Sequence, residues 1–318
     1  MKKVAIYAAR RLATAAFTVL LVSLLIFIAF NLVPGDPVRL ILGTEASEER
    51  VAALRALLGL DKSLPMQYLG WISGMLHGDF GTSIKYQRPV AELIGQRVPV
   101  TVTLAAFSLV LAFAFAIPLG ILSARKKGSI SDKAISFGSM LSISIPGFCL
   151  GIFVVWLFGL KLRLFMPGGY VSYRTNIPGY LNYMLFPAIV MALPNAAVAL
   201  NYLRSSILEE LKRNYVKTAL SKGHTLKGAL YKHVLKNAFV PLISLVGMMA
   251  ASAFGGSIII EQVFGIPGIG ALLIGAITSR DFPMAQSMAA CISVIVVGSN
   301  SAADIAIQII DPRIKLYK

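Results

Sequence analysis

Long charge-free runs alternate with short charged ones along this chain. The uncharged stretches are 12–35, 98–124, 134–160, 175–203, 237–260 and 282–303. Each can cross a bilayer, because about 20 helical residues rising ~1.5 Å apiece span a ~30 Å hydrocarbon layer. The pattern therefore predicts an all-α integral membrane protein with six transmembrane helices and both termini on one side. A further uncharged run, 262–279, contains Gly265, Pro267, Gly268, Gly270 and Gly275. So many breakers would leave backbone groups unpaired in lipid, so this run predicts a short helix at the surface or re-entering the protein.

Composition agrees with an apolar solvent. Charged residues make up 14% of the chain, against about 25% in soluble domains. The net charge of +16 would suit nucleic acid, but the placement of the charges argues for topology and excludes a nucleic-acid partner. Lys2, Lys3, Arg10 and Arg11, then Arg125, Lys126, Lys127 and Lys133, then eight residues in 204–236, then Arg313, Lys315 and Lys318 all fall on one side. The two short opposite loops hold only Lys161, Arg163, Arg174 and Arg280. The positive-inside rule makes the richer side, with both termini, cytoplasmic. The apolar run within residues 1–33 is too long for a cleavable signal core and is expected to stay as the first span.

Four parts follow: a cytoplasmic N-terminus and first span (1–33), an extracytoplasmic segment (34–97), a five-helix core (98–311) and a cytoplasmic tail (312–318). In the second part, Ser47 can cap a helix bearing Val51, Leu54, Leu57 and Leu58, and Met66–Leu76 forms another with Tyr68, Leu69, Trp71 and Ile72. This segment reads either as a packed cap over the membrane domain or as a docking surface.

Catalytic and metal motifs are absent from the sequence. It has no phosphate-binding glycine loop, nucleophile elbow, H-E-x-x-H or CxxC. Cys149 and Cys291 fall in spans, where apolar packing is expected of them. His224 and His233, nine apart, do not have metal-ligand spacing. The interior acid is Asp304, which shares a helix face with Asp311. A structural or gating role for Asp304, Asp311 and Arg313 stands beside proton coupling at Asp304.

The stretch 204–239 carries the most information. Ile207, Leu211 and Tyr215 recur every four residues, and Glu209 can pair with Arg213 at i, i+4. The pattern predicts a helix continuing out of the fourth span, ended by Gly223, then a second short helix over about Thr225 to Lys236. The pair would project into the cytoplasm as a helix-turn-helix, there to meet either lipid head groups or a partner protein.

N-Y-V-K-T-A-L-S-K-G followed by Y-K-H-V-L-K-N-A-F-V-P resembles the EAA loop of ABC importer permeases, in the form of the peptide and nickel branch. P-G-D-P at 34–37, G-D-F-G-T-S at 78–83, S-I-P-G-F at 144–148, V-F-G-I-P-G-I-G at 263–270, R-D-F-P at 280–283 and D-P-R-I at 311–314 follow in the order of the B-type permease subunits. The resemblance implies a non-catalytic subunit of a bacterial inner membrane importer for short peptides. In that family, nickel chelates and glutathione are alternative cargoes. It implies a second homologous permease, two ABC ATPase subunits holding ATP and Mg, and an extracytoplasmic solute-binding protein, with no cofactor bound by this chain itself. Lys217, Thr218 and Ala219 occupy the three letters that name the loop, and Gly223 is its glycine. Glu209, Tyr215, His233 and Asn237 complete the expected ATPase-coupling set. Asn214 stands where the family commonly has Asp. An ion-coupled transporter using Asp304 and a non-transporting membrane anchor are the rival readings.

Overall fold

The computed structural model describes residues 2–32, 37–43, 46–57 and 59–310. Thirteen α-helices run through them, with two π-helical stretches. Asp311 and Arg313 lie outside the described residues.

Among the described residues, five helices are long and apolar enough to cross a membrane: α1 (Lys2–Leu32), α5 (Val90–Arg125), α8 (Ile177–Glu210), α11 (Leu235–Phe264, extended backwards to Leu226) and α13 (Phe282–Ile310). The predicted third span is not straight. Residues Ile130–Ser144 (α6) and Gly147–Lys161 (α7, Gly147–Val154, with a π-helical continuation) meet at 101°. Pro146 causes the break, because its ring forces the preceding Ile145 into extended backbone with ψ of 121°. Counted as one bent span, the pair restores six. The bend also carries Cys149 to an exposed position, contrary to the packing expected of it.

α5 begins at Val90, eight residues before the charge-free run, and continues through Pro99. Its seam with α8 is the main contact of the fold. Ala112, Ala116, Ala192, Ala196 and Ala199 are buried there, and a Cβ at Gly120 would lie 3.3 Å from the Leu200 carbonyl. Small residues let two backbones approach in the way membrane helices pack, where apolar burial alone gives little preference for protein over lipid.

α2 (Pro37–Leu42), α3 (Glu48–Leu57) and α4 (Leu64–Leu76) make up most of the segment between the first two spans. Val51 is buried. Tyr68 and Trp71 pack on Phe27, and the Tyr68 hydroxyl lies 2.9 Å from Ser23 Oγ, so α4 runs beside the C-terminal half of α1. Leu64, Met66, Leu69 and Leu76 point outward. The following turn is fastened to α13: Ser83 Oγ donates to Asp281, and Ser287 Oγ donates to the Phe80 carbonyl. G-D-F-G-T-S and R-D-F-P, about 200 positions apart, are thus one contact.

The short helix expected in 262–279 is α12 (Ile269–Thr278). It follows Gly265, whose φ of +68° ends α11, and it packs against α5, α11 and α13.

Candidate functional site

At the opposite end of the bundle from α12, the chain leaves α8, turns and enters α11. The structure revises three expectations here. First, the helix does not run unbroken to Gly223. α8 stops at Glu210, residues 211–213 turn, and α9 (Asn214–Ser221) starts afresh. A straight continuation would have kept Ile207, Leu211 and Tyr215 on one face. The break instead buries Val216 and Ala219 against Ile207, Leu203, Leu230 and Val234, and leaves Tyr215 outside. Second, the next helix is no separate unit. α10 (Leu226–Ala229) and a π-helical stretch, Leu230–Val234, lead directly into α11. Thr225 caps α10 by accepting from Gly228 N at 3.1 Å. Third, Arg213 pairs with Glu210 at 3.6 Å, not with Glu209.

Glu210, absent from the expected set, organises the loop. Its carboxylate accepts the Tyr215 hydroxyl at 2.6 Å and the Asn237 amide at 3.5 Å, joining α8, α9 and α11. Glu209, one residue and about 100° around the helix, is exposed. Burial and then the bond to Glu210 push the Tyr215 phenol above its ordinary pKa, so it stays a donor.

α9 ends as Gly223 requires. Gly223 N donates to the Leu220 carbonyl at 3.0 Å and His224 N to the Ala219 carbonyl at 3.2 Å. Together they form a Schellman turn, with Gly223 at φ of +86°. Asn214 is not the cap; Arg213 is, without a side-chain bond. Lys217 and Thr218 are exposed and Ala219 is buried. The element is a short helix seated by one apolar face, with its cationic face open. His224 and His233, unrelated by spacing, bring their rings to 5.6 Å.

Above this loop sits a charged clamp that the sequence pattern concealed. Asp132, in the first turn of α6, accepts from Arg204 Nε and Nη2, both at 2.9 Å, from Gly128 N at 2.8 Å and from Ser123 Oγ. It ties α5, α6 and α8 where α8 leaves the bundle. Ser129 caps α6 three residues before it. That S-x-x-D spacing is a readable capping signal.

Asp304 is not the sole interior acid. Asp132, Glu261 and Asp281 are each more deeply buried. Asp304 keeps about a quarter of its side-chain surface and forms an ion pair with Arg11 of α1.

Residues 116–316 match the family described as the binding-protein-dependent transport system inner membrane component, and residues 4–105 match its N-terminal companion. The chain belongs to that family. Relatives of this inner membrane component extend over nearly its whole length. It is 34% identical over 310 residues to a protein of Sinorhizobium fredii named as a peptide ABC transporter permease, covering 98% of this chain and 99% of that one. It is 36% identical over 314 residues to the oligopeptide transport system permease protein AppB of Bacillus subtilis, again covering 98% and 99%. As a member of this family it is a multi-pass inner membrane protein that works with other ABC transporter components.

Proposed function

We propose that this chain is one permease half of an ATP-driven importer of short peptides, with the 204–239 segment as its ATPase-coupling site. The observation that carries the reading is α9: a two-turn helix held by Val216 and Ala219 and braced by Glu210, Tyr215 and Asn237, with Tyr215, Lys217 and Thr218 facing outward. A helix fixed this firmly can act as a handle. Its movement passes through Val216 and Ala219 to α8 and the root of α11, and through Arg204 and Asp132 to α5 and α6. That is a two-state element biased from one side.

The peptide names of the relatives support the cargo. The partners in this reading are a second homologous permease, two ATPase subunits that hold ATP and Mg, and a solute-binding protein on the other side. The chain itself carries out no hydrolysis and binds no cofactor. The distribution of basic residues supports cytoplasmic termini. The Arg11–Asp304 pair supports a structural role for Asp304 over ion coupling. The test is a cysteine cross-link from Lys217→Cys to the ATPase subunit, with ATP-dependent uptake of a labelled dipeptide in the same membranes. The reading expects the cross-link and uptake that stops when ATP is omitted. Absence of any ATPase adduct from functional membranes would refute the assignment of the loop.

A further inference from the structure

We infer that Glu261 is a positioning residue for transport: it seats α12 between α5, α11 and α13 at the end of the bundle away from the coupling loop. α12 has only ten residues, and its first turn is buried, so the N–H groups that every helix start leaves open need partners within the protein. The N-cap position is Gly268, which has no side chain to offer. Glu261, seven residues earlier at the end of α11, takes over that task. One carboxylate oxygen accepts from Ala271 N at 3.0 Å, and the other accepts the Thr101 hydroxyl at 2.6 Å. The Thr101 oxygen in turn accepts from Ile269 N at 2.9 Å. Acceptor oxygens at a helix start also meet the positive end of its dipole.

The glycines of V-F-G-I-P-G-I-G follow from this seat. A Cβ at Gly268 would lie 2.2 Å from the Glu261 carboxyl carbon, and one at Gly270 would lie 2.4 Å from Ile258 Cα. Only bare backbone lets the helix start come down onto the carboxylate. Thr101 belongs to α5 and Glu261 to α11, so the same few atoms also join two of the long helices. A narrow cavity with room for about one water lies beside this seat, lined by Thr101, Ser257, Gly270, Ile292 and Ile295. Ile269, Leu272 and Ala276 pack the body of α12 against Met284 and Met288 of α13, and the carboxylate fixes where its first turn stands. Without the seat, α5 and α11 keep their apolar contact through Leu104, Ala253 and Ile260, but the start of α12 loses its tie to both.

The functional half of the inference rests on the importer reading; the seat itself does not. Both are tested in a Cys149→Ser/Cys291→Ser background carrying Ala276→Cys, on the buried face of α12. With Glu261 intact, a membrane-impermeant maleimide should react slowly at position 276. In Glu261→Gln and Glu261→Ala it should react roughly tenfold faster or more, because buried charge-assisted bonds are lost. Thr101→Val, which removes one arm of the seat, should give a smaller rise, and it decides the matter if the Glu261 variants fail to assemble. In the purified complex, binding-protein-stimulated ATP hydrolysis and peptide uptake should both fall in Glu261→Ala. Basal hydrolysis should persist, and Glu261→Asp should recover part of the uptake. Unchanged labelling in Glu261→Gln and Thr101→Val would overturn the seat. Faster labelling with undiminished uptake would overturn the positioning role. Lack of ATP-dependent uptake by the unmodified complex would instead refute the importer reading.

Discussion

Removing Asp132 is the most informative perturbation of the core. Its side chain is 5% exposed and that of Arg204 is 24% exposed. Asp132→Ala would leave the Ser123 hydroxyl and Gly128 N without their acceptor, and the Arg204 guanidinium with only Ser123 Oγ. Breaking a buried ion pair by deleting one partner costs about 3–5 kcal/mol. Because Arg204 keeps some access to solvent, the lower end applies, about 3 kcal/mol, read as a fall of roughly 4–5 °C in the thermal midpoint of this chain in the purified complex. Arg204→Ala should cost at least as much, since it strands the more deeply buried charge, Asp132, with only Ser123 Oγ and Gly128 N as donors. Combining the two substitutions should be milder than their sum by about 1–3 kcal/mol, because each loss removes the other's partner. Arg204→Lys keeps the charge but loses the two-pronged contact, and should retain part of the stability. The assay is a double-mutant cycle on thermal unfolding, with peptide uptake per ATP hydrolysed measured alongside. Single losses that add within about 0.5 kcal/mol would show that the pair is uncoupled and that the clamp transmits nothing.

At Gly223 a Cβ would meet nothing within 4 Å, yet φ is +86°, so substitutions there report backbone conformation alone. Gly223→Ala should cost about 1–2 kcal/mol locally, Gly223→Val more, and Gly223→Pro also the donor to Leu220; ATPase retention on affinity purification should fall in that order, and normal retention in all three would contradict the need for the turn. Gly247→Ala would press its new methyl to within 2.2 Å of Ala303 Cβ; it should lower thermal stability by about 1–3 kcal/mol, and Ala303→Gly should restore most of the loss if that contact is the cause. Asp304→Asn should keep most uptake and lose at most about 1 kcal/mol of stability, as partly exposed pairs do; loss of uptake with assembly and ATP hydrolysis intact would point to ion coupling.

The spans were legible because the absence of charge over about 20 residues has a single physical reading in a bilayer. That criterion also hid the buried acids. Glu261 and Asp281 sit at the edges of charge-free runs, where a carboxylate looks like a boundary marker. The donors that justify burying them, Thr101 and Ser83, are 160 and 198 positions away. Asp132 differs, since Ser129 marks it as part of a helix start.

The bend at Pro146 was present in S-I-P-G-F, but the hydropathy of 134–160 is continuous across it. In the coupling loop, the Gly223 turn was readable because only a positive φ completes it. The halt of α8 at Glu210 was not, since Leu211, Lys212 and Arg213 are all acceptable helix formers. There, burial of Val216 and Ala219 overrides local preference. That shift moves the organising acid from Glu209 to Glu210.

The proposed function makes this chain a conduit half moved by ATP hydrolysis on separate subunits. It is tested most directly by reconstituting the purified chain into vesicles, alone and as the full complex, and measuring accumulation of a labelled dipeptide delivered by the binding protein. The chain alone should show no uptake, and uptake by the complex should require ATP and stop when hydrolysis is blocked. Accumulation against a gradient by the chain alone, or by the complex without ATP, would contradict it.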